Sequence, residues 1–193
     1  GRVRLLEDRD GDGTFDVSHD FADGISIPSG LACWKGGVFV TAAPDIWYLK
    51  DSDGDGRADT ARDFVDGLNL ATGLAFGHGG VYVLQVPYLL FYPDADRDDV
   101  PDGPPRVLLK GFGMEDSSSL ANSLIWGPDG WLYGTQGTNI TASIRGIEFE
   151  QGVWRYHPET MQFELFIEGA SNMWGLDFDR QGNLLAGTNH GGY

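Results

Sequence analysis

The sequence predicts an all-β protein, a β-propeller of four-stranded antiparallel blades. An aspartate-rich segment begins at Asp8 and returns at Asp51 and Asp94, an interval of 43 residues both times. Between these segments, short apolar and β-branched runs alternate with Gly, Pro and Asp clusters, and no stretch keeps a helical period. Self-similarity at about 40 to 45 residues with four short strands per repeat is typical of propeller blades.

The repeat extends well beyond the aspartates, which is why the strands can be placed. Segment 30–40 recurs as 73–83, and Pro44 recurs as Pro87. A β-sandwich or an open meander would also contain hairpins, but neither requires a constant repeat length. The strands predicted in the second complete repeat are residues 73–76, 80–84, 89–92 and 106–109.

The repeat units also predict the domain organisation. Strands are expected near 3–6 and 18–21 at the start, and near 174–178 and 183–188 at the end. The chain then holds about four blades, whereas propellers usually have four to eight. We therefore expect a segment of a larger propeller, six-bladed when complete. The predicted units are 1–22, 23–65, 66–110, 111–168 and 169–193.

Composition limits the possible partners. The formal charge is −16, but the aspartates at four positions of each repeated segment account for much of it. This local acidity favours cations, and no basic stripe indicates nucleic acid. The single cysteine, Cys33, excludes an internal disulfide and is predicted to be buried beside Trp34. No signal peptide or membrane-spanning apolar segment is present in this sequence.

The repeated segments are predicted to bind calcium. Each has carboxylates at positions 1, 3, 5 and 9 of a loop like that of an EF-hand, and calcium takes six to eight oxygen ligands. The glutamate of an EF-hand at position 12 is absent, so hairpin loops are expected; the alternative is a solvated Asp-Gly turn. In the third loop, Arg97 and Asp99 replace both glycines. The predicted ligands are Asp8, Asp10, Asp12, Asp16, Asp51, Asp53, Asp55, Asp59, Asp94, Asp96, Asp98 and Asp102.

The face opposite these loops is predicted to carry the ligand site. The crossover 111–122 and the turn 136–151 are longer than their counterparts in the preceding repeat. Loops lengthened on one face of a rigid scaffold usually carry function. Each polar residue there could instead cap a turn or bond loop backbone. The candidates are Glu115, Asp116, Ser117, Ser118, Ser119, Asn122, Gln136, Thr138, Asn139, Arg145, Asn172, Trp174, Asn189 and His190.

Four motifs resemble the propeller domains of the membrane-bound dehydrogenase type, which are similar to soluble quinoprotein glucose and sorbosone dehydrogenases. The motifs are EDSSSLANSL at 115–124, WGPDGWLYG at 126–134, GVWRYHP at 152–158 and NMWGLDF at 172–178. The resemblance implies a six-bladed propeller in the periplasm or outside the cell. It also implies calcium, pyrroloquinoline quinone (PQQ), and a cytochrome, fused or separate, as electron acceptor.

The resemblance further implies oxidation of a sugar or alcohol hydroxyl, in which a histidine base takes the proton while hydride passes to the quinone. It assigns the catalytic positions to Asp116, Ser118 and Ser119. One of these serines stands where the family has its histidine, and a serine accepts no proton near neutral pH without a partner base. The implied cofactor contacts are Asn122, Gln136, Arg145, Asn172 and Trp174.

Three functional hypotheses follow for a small carbohydrate-type ligand. The leading one is a PQQ-dependent sugar or alcohol dehydrogenase-like propeller with structural calcium. A non-catalytic carbohydrate- or protein-binding propeller is the second. The third is a calcium-dependent lactonase-type propeller, which needs a metal held by Glu, Asn and Asp at the mouth of the channel; only Glu115, Asn122 and Asn172 could begin that set.

Overall fold

The structure, a computed structural model, describes residues 1–189, which form strands and loops. None of these residues forms a helix of the length and apolarity that crossing a bilayer requires. The strands are β1 (Val3–Glu7), β2 (Val17–Ala22), β3 (Pro28–Trp34), β4 (Gly37–Ala42), β5 (Asp45–Lys50), β6 (Thr60–Val65), β7 (Ala71–Gly77), β8 (Gly80–Gln85), β9 (Tyr88–Pro93), β10 (Arg106–Lys110), β11 (Asn122–Trp126), β12 (Leu132–Gln136), β13 (Ala142–Ile144), β14 (Ile147–Phe149), β15 (Gly152–Tyr156), β16 (Phe163–Glu168), β17 (Met173–Phe178) and β18 (Leu184–Thr188).

The first of two compact units, Gly1–Asn69, contains one complete blade and two strands of another. Strands β3, β4, β5 and β6 pair in sequence order, and β1 pairs with β2, all antiparallel. The core of this unit forms where Val38, Val40 and Leu49 pack with Val3. Each of these apolar side chains is buried, which is the main stabilising contribution.

The second unit, Leu70–Tyr193, contains two complete blades and the start of a third. Strands β7 to β10 form one four-stranded sheet, and β11, β12, β15 and β16 form the next. The inner strands follow one another in space, because β11 packs on β7 and β17 packs on β11. Trp126 reinforces this contact by donating its indole N–H to the carbonyl of Phe76 at 2.7 Å. The fold is therefore the predicted all-β propeller of four-stranded antiparallel blades.

An inserted hairpin accounts for the length of the turn 136–151. The sequence predicted this turn as a loop, whereas β13 and β14 form a separate two-stranded sheet inside it. The hairpin is tied to the neighbouring blade, because the Ser143 N–H donates to the Gly111 carbonyl at 2.8 Å. It buries Ala142, Ile144 and Phe149 in the core of the second unit. Short strands of three residues give a weak sequence signal, which is why the hairpin was not predicted.

The aspartate loops occupy equivalent places in the two complete blades that have them. One loop joins β5 to β6 and another joins β9 to β10, so both connect a third strand to a fourth. The turns at the other end, between second and third strands, contain Pro44 and Pro87, each after a cis peptide bond. We call this other end of the second unit the crossover face; it comprises the turn at 86–87 and segments 111–122, 136–151 and 169–175.

Cys33 corrects one sequence-based expectation, because its thiol is exposed and not buried. Strand β3 alternates between partly buried and exposed side chains, and Leu31 and Cys33 fall on the exposed side of that alternation. Adjacent Trp34 faces the other way and is partly buried. The aromatic neighbour in sequence therefore did not predict the environment of the thiol.

Candidate functional site

The first two aspartate loops have the same backbone hydrogen bonds. Asp8 accepts the N–H groups of Gly11 at 2.7 Å and Gly13 at 2.9 Å. Asp51 accepts the two equivalent glycine N–H groups at 2.7 and 2.8 Å. Both glycines of each loop have positive φ, which glycine adopts without steric cost. The carboxylate at position 1 is thus held in place by the turn that the glycines allow.

These loops gather carboxylates into two compact clusters. In each cluster, one carboxylate oxygen per residue lies within 4.8 Å of the others. Glycine N–H donation lowers the pKa of Asp8 and of Asp51, so these groups stay ionised next to other carboxylates. A cation with a preference for oxygen would relieve the repulsion between them. The clusters are Asp8, Asp10 and Asp16 in the first loop and Asp51, Asp53 and Asp59 in the second.

The third loop differs because its first carboxylate is buried. Asp94 is only 4% exposed, and burial raises its pKa. Its Oδ2 accepts the Asp99 N–H at 3.3 Å, while its buried Oδ1 has no hydrogen-bond partner. A buried carboxylate oxygen without a donor is costly unless a cation satisfies it. The cluster here comprises Asp94, Asp96 and Asp98.

The third loop keeps the backbone of the other two without their glycines. Arg97 and Asp99 have φ of 60° and 64°, where the second loop has Gly54 at 81° and Gly56 at 86°. A residue with a side chain pays roughly 1 kcal/mol or more in this conformation. The loop geometry is therefore retained in spite of the local sequence.

Three predicted metal ligands lie outside the clusters. Asp12 and Asp55 each accept the backbone N–H of the residue two positions later, at 2.7 and 2.8 Å. Asp102 accepts the Ala95 N–H at 2.7 Å. These carboxylates shape the turns, and the metal contacts assigned to them stay predictions.

On the crossover face, two neighbouring carboxylates are held ionised by local donors. Glu115 accepts the N–H of Met114 at 2.8 Å and that of Thr141 at 3.2 Å. Asp116 accepts the N–H of Ser118 at 2.8 Å and its hydroxyl at 2.6 Å. The backbone N–H of Glu115 itself, followed by that of Thr141, lowers the pKa of the Glu115 carboxyl group, and the Ser118 hydroxyl lowers that of Asp116. The Ser118 hydroxyl donates its proton to Asp116, so it offers no base.

Asn172 and Trp174 are connected to the second of these carboxylates, Asp116, through Ser118. The Trp174 indole N–H lies 3.0 Å from Asn172 Oδ1 and 3.2 Å from the Ser118 carbonyl, with Trp174 still 44% exposed. Asn172 has φ of 41°, a left-handed backbone conformation that asparagine tolerates. Asp116, Ser118, Trp174 and Asn172 thus form one continuous polar patch with an exposed aromatic ring, and Glu115 adjoins it in the chain.

Asn122 and Gln136 do not lie on the open surface. Asn122 is 1% exposed; its amide donates to the Leu120 and Met173 carbonyls, both at 2.9 Å. Its Oδ1 accepts the Thr135 hydroxyl at 2.8 Å. Gln136 is fully buried, and its amide donates to the backbone at 149 and 150, while its Oε1 has no partner. Both side chains fasten strands together, and the cofactor contacts assigned to them stay predictions.

Ser123 takes part in this arrangement although sequence reasoning missed it. It has φ of 63°, its hydroxyl donates to Asn122 Oδ1, and it accepts the Gly175 N–H at 2.9 Å. Ser123 therefore links β11 to β17 beside the polar patch. A serine inside an apolar strand gave no signal of this role, because its partner Gly175 lies 52 residues away in the chain.

The remaining candidates lie in different places. Ser119 is buried, and its carbonyl accepts the Gly137 N–H at 3.0 Å. Arg145 lies at the tip of the β13–β14 hairpin. Ser117, Thr138 and Asn139 lie in loops of the crossover face, and Asn189 follows β18. His190 lies outside the described residues.

Sequence comparison identifies the family. A model of the domain of unknown function DUF7133 matches residues 1–64 and 48–192, nearly the whole chain. The chain belongs to this family. No curated protein matches it in sequence. Membership of the DUF7133 family does not by itself indicate an activity.

Two solved structures share the fold. One is a candidate gluconolactonase, with a TM-score of 0.63, 18% identity and coverage of 88% of this chain. The other is the extracellular domain of a candidate one-component system from B. thetaiotaomicron, with a TM-score of 0.50, 13% identity and coverage of 90%. The chain spans 58% of the first structure and 27% of the second. At these identities, the likeness concerns the fold.

Proposed function

We propose that this DUF7133 chain is part of a calcium-dependent, lactonase-type propeller that acts on a carbohydrate-type lactone. The observation that carries the proposal is the polar patch of the crossover face. There, the ionised carboxylate of Asp116 is connected through Ser118 to the exposed Trp174 and so to Asn172, and the ionised Glu115 directly precedes Asp116 in the chain. The shared fold of the candidate gluconolactonase supports this choice of reaction.

The donor set suits a hard cation better than a redox cofactor. Each oxygen of the Glu115 carboxylate accepts one backbone N–H and keeps a further lone pair, so it can also ligate an ion. The polar patch offers two further oxygen ligands, Asn172 Oδ1 and the Asp116 carboxylate. Asn122 does not fit, because its oxygen is buried and bonded to Thr135. A bound calcium ion would polarise a lactone carbonyl as a Lewis acid.

This chain's own residues would bind and orient the substrate. The exposed ring of Trp174 offers a flat surface to the apolar face of a sugar ring. An ionised carboxylate, Glu115 or Asp116, can take a proton from the attacking water. The Ser118 hydroxyl fixes the orientation of the Asp116 carboxylate. Hydrolysis of a lactone involves no oxidation or reduction, so a cation, a base and a binding surface are the groups that it requires.

The dehydrogenase hypothesis has less support. The residues predicted to contact PQQ include Asn122 and Gln136, which are buried and bonded to backbone carbonyls. At the position of the family's histidine, Ser118 donates its proton and Ser119 is buried. These four residues thus do not fit the roles that the PQQ hypothesis assigns to them.

Structural calcium in the aspartate loops belongs to the same proposal. The clusters suit calcium because each provides three carboxylates within 4.8 Å. The unpartnered, buried Oδ1 of Asp94 supports an ion in the third loop in particular. Calcium-loop modules outside the cell work at the high calcium concentrations found there, so we also propose a periplasmic or extracellular location. The extracellular domain of similar fold agrees with that location.

The test is hydrolysis of glucono-δ-lactone by the full-length protein and by Glu115→Gln. We expect the variant to lose at least about 100-fold in kcat/KM, because a neutral amide neither holds the cation nor accepts a proton. Glu159→Gln is the matched control, since Glu159 lies exposed in the β15–β16 turn and should leave the rate unchanged. Equal rates for both variants would contradict the proposal. Ligand binding without turnover would instead indicate a recognition module.

A further inference from the structure

In one cleft of this acidic chain, all the charged residues of the lining are basic. It lies between strands β9 and β10 and the β13–β14 hairpin, has a volume of about 550 Å³, and includes Lys110 and Arg145. Three other clefts among the described residues each contain carboxylates, such as Asp20, Glu148 and Asp51. We call the cleft that contains Lys110 and Arg145 the basic cleft. Its charge is opposite to that of the molecule as a whole.

The two cations of the basic cleft are not neutralised by the protein. Within residues 1–189, neither Lys110 nor Arg145 forms an ion pair with a carboxylate. Lys110 lies directly opposite Tyr88 in the β9–β10 pairing, so both side chains project from the same face of the sheet. Tyr88 is also exposed. Lys110 and the exposed ring of Tyr88 therefore project from neighbouring positions on one face of the sheet.

The turn that places Arg145 at the cleft has a backbone conformation that favours a different residue type at this position. Arg145 and Gly146 form the two-residue turn between β13 and β14, with φ of 53° and 85°. A turn with two positive φ values favours Asn-Gly, and arginine pays a steric cost there. Its guanidinium is fixed by donating to the Leu108 carbonyl at 3.3 Å and by lying over the Tyr156 ring at 5.6 Å. Strain of this kind points to a functional constraint.

We propose that the basic cleft binds a carboxylate-bearing sugar, such as a uronic acid residue of an oligosaccharide. Lys110 and Arg145 hold the carboxylate, and the ring of Tyr88 packs against the sugar. The volume suits a small ligand. An added peptide strand is disfavoured, because β10 is an edge strand whose Leu108 carbonyl is already occupied by Arg145. This site lies beyond the lactone-hydrolysing patch and does not depend on it.

The test is calorimetric titration of the full-length protein with trigalacturonate, with maltotriose as the neutral counterpart. We expect trigalacturonate to bind, more weakly at high salt, and maltotriose not to bind. Arg145→Asn and Lys110→Gln should each weaken binding roughly tenfold or more, since each removes a charge-assisted contact. Arg145→Asn should keep or raise the thermal midpoint, because Asn-Gly suits the turn. Arg106→Gln is the control, on the same strand but packed over Phe91 at 4.7 Å.

Three results would overturn the inference. They are no binding of trigalacturonate, unchanged binding by folded Arg145→Asn, and equally tight binding of acetate or of a triglutamate peptide. Glucono-δ-lactone hydrolysis is measured on the same preparation. Trigalacturonate binding without hydrolysis keeps this inference and removes the lactonase proposal, and hydrolysis without binding does the opposite.

Discussion

At the scale of single residues, the polar side chains of the crossover face divide into two groups. Asp116, Asn172 and Trp174 are joined by hydrogen bonds at the surface. Asn122 and Gln136 are buried and bonded to backbone carbonyls. Residue type and position in a long loop could not separate these groups, because burial depends on contacts with residues distant in the sequence. The first group can meet a ligand, and the second holds the strands that carry it.

Asn122→Ala tests the structural role of the second group. We expect a loss of about 2–4 kcal/mol in the free energy of unfolding, because the Leu120 and Met173 carbonyls and the Thr135 hydroxyl lose a buried partner. Denaturant titration of the full-length protein measures this loss. Asn69→Ala, at an exposed position, should change it by less than about 0.5 kcal/mol. A similarly small effect of Asn122→Ala would show that the side chain is dispensable for stability.

At the scale of elements, the aspartate loops show how a repeat preserves geometry while its sequence changes. The third loop keeps the left-handed backbone with Arg97 and Asp99 in place of glycine. The sequence predicted the position of each loop between third and fourth strands, and this is confirmed in both complete blades that have one. It could not predict that Asp94 would be buried, since the aspartate spacing is the same in all three loops.

Asp53→Asn tests calcium binding by the second loop. The amide keeps an acceptor for the Asp55 N–H, so the turn should survive, while one negative ligand is lost. We expect calcium to raise the thermal midpoint of the unaltered protein by mass action, and to raise that of the variant by clearly less. Asp63→Asn, exposed on β6, is the matched control and should respond to calcium normally. Equal calcium-induced shifts in all three proteins would rule out an ion at this loop.

The inserted β13–β14 hairpin is the element that sequence analysis described least well. Its length was predicted from the longer interval between repeats, but its pairing and its contact with β10 were not. It carries Arg145 to the basic cleft and shields the Leu108 carbonyl at the sheet edge. One inserted element therefore both protects an edge strand and supplies a cation.

At the scale of the molecule, the constant repeat predicted the β-propeller fold. Periodicity in the sequence reports which strands share a blade, because each blade is one repeating unit. Function is less visible, since the same scaffold serves different chemistries and the site depends on a few loop residues. The few loop residues that matter here are those of the crossover face, where an ionised carboxylate, an amide and an exposed indole are joined by hydrogen bonds.

The most direct test of the proposed function is the rate of glucono-δ-lactone hydrolysis by the full-length protein at controlled free calcium. We predict that chelation abolishes the reaction and that added calcium restores it, with Asp53→Asn still active at saturating calcium because its loop is structural. Chelation should also lower the thermal midpoint, so the rate and the midpoint are measured together. Loss of hydrolysis at a temperature where the chelated protein is still folded then reports loss of the catalytic ion and not unfolding. Hydrolysis that persists without calcium, or no hydrolysis by the folded, calcium-loaded protein, would contradict the account.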